Sequence, residues 1–347
     1  MSHICHLSLT VYKSKKKFYY FCTLRKLKYN LSKLISIMKK VILSLIALAL
    51  TAGVVSAQDL EKATETAQSA SEALDNKDYA TALTGFKEAL VEAQACGEEG
   101  AELIATCKGV IPAIVLNIAK GEIRDAKYDE GIATLAEAIK VAVEYEAIDV
   151  EEEAKTLVSQ AKKAKAGALY KAKDFAGAIA AFKDVLAENP EDGISALQLA
   201  MALNQTGDKE GAIAAFEQAR ANGQEANAVK QLANIYLKDA QALLKEKKFK
   251  DVIAACEKSN EYVESANAYK LAASAASQLK DNKSAIEFYE KYLGISPEAK
   301  DAAAINFTLG ALYQQLGNKE KAKEFYTKVE NDATYGAQAK QQLNVLK

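Results

Sequence analysis

The feature that most constrains the fold of this chain is an internal repeat. Residues 309–329 contain two short amphipathic runs joined by a turn at 316–319, and the same layout recurs upstream. Each copy has an anchor residue, usually small, early in its second run. The anchors are Ala82, Gly131, Ala178, Ala212, Val252, Ala285 and Ala322, separated by 49, 47, 34, 40, 33 and 37 residues. This period predicts stacked two-helix units, because one helix pair cannot bury its apolar face alone.

The residues around the anchors resemble the tetratricopeptide repeat, a helix hairpin of about 34 residues. Three copies have the family's small and aromatic residues, and two of them have its closing proline. These residues are Ala166, Leu169, Phe175, Ala178, Phe182 and Pro190 in one copy, Ala273, Ala285, Tyr289 and Pro297 in another, and Gly310, Tyr313, Ala322 and Tyr326 in the last. The fifth copy departs from the pattern, with Val252 and Cys256 at the small and aromatic positions. The resemblance implies an all-α fold: an α-solenoid of about seven antiparallel helix-hairpin repeats in a right-handed superhelix.

The repeat spacing also predicts the domain organisation. We expect irregular repeats with longer helices over 58–150, standard repeats over 151–336 and a capping helix over 337–347. A helix start or a kink is expected at Pro112, early in its helix, because proline cannot donate a backbone hydrogen bond. A short insert at 223–226 is expected to account for the spacing of 40 residues.

The N-terminal residues differ from the rest of the chain. Residues 1–57 contain ten Lys or Arg and no Asp or Glu, and an apolar run follows Met38 and two lysines. This order is typical of a bacterial signal peptide over 38–57, cleaved after Ala57, and predicts a periplasmic or secreted protein. The alternative is a membrane anchor, although the apolar run is short for a span. The simplest account of residues 1–37 is a mis-called start upstream of Met38, with no structure; the alternative is a long basic leader.

Removal of residues 1–57 would make the chain strongly acidic. Lys plus Arg falls from 45 to 35 while Asp plus Glu stays at 46, so the net charge falls from −1 to about −11. This balance argues against nucleic acid and anionic lipid as partners, and we expect no membrane insertion after cleavage. Both histidines, His3 and His6, lie in the removed segment. Because histidine is the commonest general base and metal ligand, we predict no catalytic residue, no cofactor and no metal site.

Three cysteines follow the signal segment. A disulfide between Cys96 and Cys107 would close a short loop in the irregular N-terminal repeats, and an oxidising compartment would allow it. The alternative is that both are small buried hydrophobic residues. Cys256 occupies the place of a core aromatic residue, so we expect it to be buried.

The resemblance further implies a binding site, because in this family the first helix of each pair lines a concave groove that commonly binds peptide segments. The matched positions are Tyr170, Leu197, Met201, Asn204, Asn234, Gln241, Lys270, Ser274, Phe307 and Gln314. All except Lys270 are uncharged, so we expect a groove for an uncharged or mildly apolar segment. The alternative is that Leu197, Met201 and Phe307 simply pack against neighbouring helices.

Together these patterns predict an exported, non-enzymatic scaffold or adaptor that binds protein partners in the cell envelope through its groove. The alternative is a structural envelope protein that associates with itself as a homo-oligomer. An enzyme or a carrier of a small ligand is disfavoured, because the sequence shows no catalytic set, although acid chemistry by carboxylates stays open.

Overall fold

The computed structural model describes residues 56–347, which form fifteen α-helices and no strand. The predicted leader (1–37) and signal peptide (38–57) lie outside the described residues, apart from the last two, and stay predictions. The helices are α1 (Ser56–Asp75), α2 (Tyr79–Ala95), α3 (Ala101–Arg124), α4 (Tyr128–Glu144), α5 (Ile148–Lys171), α6 (Phe175–Glu188), α7 (Gly193–Thr206), α8 (Lys209–Ala219), α9 (Glu225–Lys245), α10 (Phe249–Tyr262), α11 (Ala266–Gln278), α12 (Asn282–Ile295), α13 (Ala302–Gln315), α14 (Lys319–Thr327) and α15 (Gly336–Val345). The predicted all-α fold, with seven helix hairpins and a final helix, is confirmed.

The chain forms two compact units, the first ending at Lys165 and the second spanning Ala166–Lys347. In the first unit α1, α2, α3 and α4 pack consecutively. Small residues let two helices approach closely: a Cβ added at Gly85 would lie 2.8 Å from the Ala70 Cβ. Phe86 fills the space beside this contact and is completely buried. The long helices predicted here are present, with 20 residues in α1 and 24 in α3.

Helix α3 does not begin at Pro112, which was one of the two outcomes expected there. Pro112 lies near its middle, and the helix runs through it without interruption from Ala101 to Arg124. Residues Gly97–Arg124 are long and apolar enough to cross a membrane by length and composition. Their largest apolar residues, including Leu103 and Ile111, are buried in the core of the first unit. The packing of a core helix therefore accounts for this apolarity.

In the second unit consecutive helices pack from α6 to α15. The small and aromatic residues of the repeat pattern form its core: Ala178 and Phe182 in α6 are completely buried. The turns are set by helix caps, since the side chain of Asp208 accepts from the backbone N–H of Gly211 at 2.9 Å. Gly207 precedes this cap with a φ of +83°, a left-handed conformation that glycine adopts without strain.

Helix α9 explains the spacing of 40 residues differently from our prediction. Gly223 does turn the chain, with a φ of +84°, but Glu225 and Ala226 are already helical. The helix contains 21 residues, whereas α7 contains 14. The additional residues are therefore extra turns of helix at the start of α9 and not a loop.

Cys96 and Cys107, for which a disulfide was one of two alternatives, are both free thiols in the structure. Cys107 is completely buried in the core of the first unit. Cys96 lies at the end of α2 and its Sγ donates to the Glu92 carbonyl at 3.4 Å. The two thiols therefore lie in different environments, one in the core and one at the end of a helix. Cys256 is completely buried, as predicted.

Replacing Gly310 by Ala should destabilise the second unit by about 1–3 kcal/mol. A Cβ at this position would lie 2.8 Å from the ring of Tyr326, which is 1% exposed. The ring is also fixed by its hydroxyl, which donates to Gln314 at 2.9 Å. Urea unfolding followed by circular dichroism measures the change. Gly294→Ala is the control, since that helical position is open and should gain stability from alanine. Equal effects of both variants would contradict the packing argument.

The cap of α12 should make part of the stability dependent on pH. The hydroxyl of Ser284 and then its backbone N–H donate to Asp281 and lower the pKa of that carboxyl below its ordinary 3.8. A lowered folded-state pKa stabilises the fold above pH 3.8 and loses this contribution as the pH falls through the folded value. Asp281→Ala should therefore cost about 1 kcal/mol at neutral pH, and progressively less in acid.

The matched control for this prediction is the cap of α14. Asn318 accepts from the backbone N–H of Lys321 at 3.1 Å, and an amide does not titrate. Asn318→Ala should therefore lose a similar amount of stability at every pH, as measured by urea unfolding. A loss for Asp281→Ala that stays constant down to the most acidic conditions would show that its charge is irrelevant.

The three thiols should react with iodoacetamide in a defined order. Burial raises the pKa of Cys107 and of Cys256 to about 12, so little thiolate forms and the reagent has no access. Cys96 is only partly buried and should be alkylated first, which peptide mass spectrometry would show. In urea all three should react. Alkylation of Cys107 as fast as Cys96 without denaturant would overturn this order.

Candidate protein-binding surface

Charges are distributed unequally between the two helices of each pair in the second unit. The first helices α7 and α13 contain no charged residue, and α11 contains only Lys270. Helix α9 contains two carboxylates, Glu225 and Asp239. Each of the second helices α8, α10, α12 and α14 carries at least two carboxylates. The first helices therefore present a surface that is nearly free of negative charge in an acidic protein.

One stripe of side chains faces outward on each first helix. We define the outer stripe as four positions, spaced 4, 3 and 4 residues apart, at equivalent places in α7, α9, α11 and α13. This spacing keeps the four side chains on one helix face. The stripe consists of Ile194, Gln198, Met201 and Gln205, then Asn234, Lys238, Gln241 and Lys245, then Asn267, Leu271, Ser274 and Gln278, then Ala304, Thr308, Ala311 and Gln315. All of them are exposed or half-buried, and none is acidic.

Four of the ten predicted groove residues lie on the outer stripe. Asn234 and Gln241 are exposed on α9, and Met201 and Ser274 are half-buried on α7 and α11. Helices α9 and α11 contact each other directly, so their stripes belong to one surface. Amide side chains both donate and accept hydrogen bonds, which suits the peptide groups of an extended ligand.

Three further predicted residues, Tyr170, Leu197 and Asn204, do not belong to the outer stripe. The Tyr170 ring meets the Phe175 ring edge-on, with centroids 5.5 Å apart. Leu197 is half-buried against the core formed by α6 to α9, and so is Met201 on the stripe. Asn204 is half-buried near the end of α7. For Leu197 and Met201 the packing alternative is thus realised in part, since both also keep an exposed portion.

Lys270 is occupied by contacts within the protein. Its Nζ lies 2.5 Å from the Asp301 Oδ2 and 5.7 Å from the ring centroid of Tyr292. The Tyr292 hydroxyl also donates to Asp301, and the lysine and this hydroxyl together lower the pKa of that carboxyl. Lys270 therefore serves to join α11 to the residues before α13.

The side chains of Phe307 and Gln314 contact residues near the C-terminus. The Phe307 ring lies 5.4 Å from the rings of both Tyr326 and Tyr335. The Gln314 side chain accepts from the Tyr326 hydroxyl and donates to Gln342 on α15 at 3.2 Å. The ligand-binding roles of these two residues stay predictions, but the structure gives them a packing role, and we leave them out of the proposed surface.

Sequence reasoning missed several exposed polar members of the stripe. They are Gln205, Lys238, Lys245, Asn267 and Gln278. The 4, 3, 4 spacing itself would have identified them, since it marks one helix face without any family pattern. Within residues 56–347 no cluster of three His, Cys, Asp or Glu could hold a metal ion. The chemistry of the surface is that of amides, apolar side chains and a few lysines.

Profiles of the tetratricopeptide repeat family match residues 169–235, 266–298 and 303–330. All three matches lie in the second unit. Residues 236–265, between the first and second matches, contain Val252 and Cys256, where the pattern departs from the family. No curated protein matches the chain.

Several solved structures are similar to about half of this chain. One is MamA, with 20% identity over 51% of this chain and 95% of its own, and a TM-score of 0.28. Another is YrrB, a TPR protein with an unusual peptide-binding site, with 18% identity over 48% and 81% and a TM-score of 0.30. A third is TTC0263, a TPR protein from Thermus thermophilus, with 16% identity over 54% and 98% and a TM-score of 0.24. TM-scores this low do not identify a family. The repeats are identified from the sequence matches and from the helix hairpins.

The helix hairpins, their small and aromatic contact residues and the three sequence matches agree with one another. Tetratricopeptide repeats generally serve as scaffolds for protein–protein interaction and not as catalysts. The second unit therefore contains tetratricopeptide repeats, over residues 169–235, 266–298 and 303–330.

Proposed function

We propose that this protein is a non-enzymatic scaffold that binds a segment of a partner protein along the outer stripe of its second unit. The observation that carries the proposal is the near absence of carboxylates from the first helices, together with the exposed amides of α9 and α11. A surface of amides and half-buried apolar side chains offers hydrogen bonds to peptide groups and contact area to apolar side chains.

The sequence supports the non-enzymatic part of this proposal. Residues 58–347 contain no histidine, so the usual general base at neutral pH is missing. Many carboxylates of the second helices form ion pairs with lysines of the same helix, such as Glu287 with Lys291 at 2.7 Å. Such pairs are ordinary solvated helix surface and hold no reacting group in a cleft.

We further propose that the protein acts outside the cytoplasm, in the periplasm or secreted. The support is the order of basic start, apolar core and small residues over 38–57. The partner would then be a protein of the cell envelope. The acidic balance of residues 58–347 favours a protein partner over nucleic acid or an anionic lipid surface.

The second candidate function is self-association, in which the outer stripe of one copy meets another copy. Large exposed apolar side chains support it: Ile194 on the stripe is 60% exposed. Size-exclusion chromatography with light scattering separates the two candidates. A monomer at high concentration would exclude self-association, and a concentration-dependent dimer would favour it.

The binding surface can be tested by removing its amides. Gln205→Ala, Asn234→Ala and Gln241→Ala, combined, should weaken capture of a partner from a detergent-solubilised envelope extract by about tenfold or more, since each lost hydrogen bond to a peptide group costs about 1 kcal/mol. Quantitative mass spectrometry of the captured proteins gives the measurement.

The control for this test removes three exposed amides from α15, in the variant Gln338→Ala, Gln341→Ala and Asn344→Ala. It changes the same chemistry away from the first helices and should leave capture unchanged. If the first triple variant retained every partner of the native chain, the proposed binding surface would be wrong.

A further inference from the structure

Helix α9 differs from the other first helices because its stripe is basic. Extended by the extra turns at its start, the stripe reads Lys230, Asn234, Lys238, Gln241 and Lys245, and all five side chains are exposed. The intervals of 4, 4, 3 and 4 residues place them on one face of the helix. Lysines and amides therefore alternate along α9.

These three lysines have no carboxylate partner among residues 56–347, where the ion pairs involve other cations. Both carboxylates of α9 are already engaged by α8 and the turn after it. Asp239 lies 2.5 Å from the Nζ of Lys209, and Glu225 lies 3.9 Å from the Nε of Arg220. The positive charge of the stripe is consequently not neutralised by its own helix.

Some lysines of other helices are paired instead. Lys258 pairs with Glu261, Lys291 with Glu287, and Lys321 with Glu324, each on its own helix. Lys270, which occurs on a first helix, pairs with Asp301. In an acidic protein, an unneutralised row of cations on the proposed binding surface attracts a ligand with negative charge.

We infer that α9 binds an extended peptide segment of the partner whose Asp or Glu residues are spaced three or four residues apart, an inference that rests on the proposed function. The helix rise places Lys230 about 12 Å from Lys238, and Lys238 about 10 Å from Lys245 along the axis. An extended chain advances about 3.3 Å per residue, so three or four residues span each interval.

The amides between the lysines also favour a ligand with an extended backbone. Asn234 and Gln241 are exposed, and no hydrogen bond to another described residue occupies their side chains. The backbone of a helical ligand already satisfies its own hydrogen bonds, whereas an extended segment offers free peptide N–H and C=O groups. A short acidic peptide fits this surface better than a nucleic acid, because the surrounding acidic protein repels a dense polyanion.

The test uses a displayed library of twelve-residue random peptides, selected on the full chain. We expect the enriched peptides to carry Asp or Glu at intervals of three or four residues. A synthetic member of this set should bind Lys230→Gln/Lys238→Gln/Lys245→Gln about tenfold more weakly than the native chain, and the difference should shrink as salt is raised.

The matched control is Lys250→Gln/Lys283→Gln/Lys319→Gln, which removes three exposed lysines of the second helices and changes the net charge equally. It should bind the peptide like the native chain. Enriched peptides without an excess of acidic residues, or equal losses for both variants, would overturn the acidic ligand while leaving the binding surface in place. No enrichment on the native chain would overturn both the surface and its ligand.

Discussion

The fold depends on the close approach of helices at small residues with an aromatic ring beside them. A Cβ at Gly310 would lie 2.8 Å from the Tyr326 ring, and Ala178 and Phe182 form the same kind of contact in α6 completely out of solvent. Polar side chains cannot replace the residues of such close-packed contacts without disturbing the core. The residues that can vary without disturbing the core are those of the outer face, which is where the first and second helices differ in charge.

The helix hairpins could be predicted because their ends are set locally. Acidic or amide caps such as Asp208 and Asn318 bond the backbone three residues later, and that signal is visible in the sequence. The sequence was less informative where no local signal sets a helix end. Pro112 is accommodated within α3, whose neighbouring residues are buried in the core, and the start of α9 depends on how long an amphipathic pattern continues after Gly223.

The candidate binding surface was less predictable than the fold, because family positions identify a helix but do not show which side chains are engaged by other residues of the protein. Lys270 is engaged by Asp301, 31 residues later in the chain, and Phe307 is covered by Tyr335. Both contacts require the folded structure. Asn234 and Gln241 were predicted from the family resemblance, and both side chains are exposed on α9.

The arrangement of ion pairs explains why a basic face can exist in an acidic chain. At several places on the second helices, lysine and glutamate lie three or four residues apart and neutralise each other, as in Lys321 with Glu324 at 2.9 Å. Each exposed pair contributes only about 0.5 kcal/mol to stability, so its main effect is to cancel charge locally. The first helices have almost no carboxylates with which to form such pairs. The lysines of α9 therefore keep their charge within the fold, and the proposed acidic ligand depends on this charge.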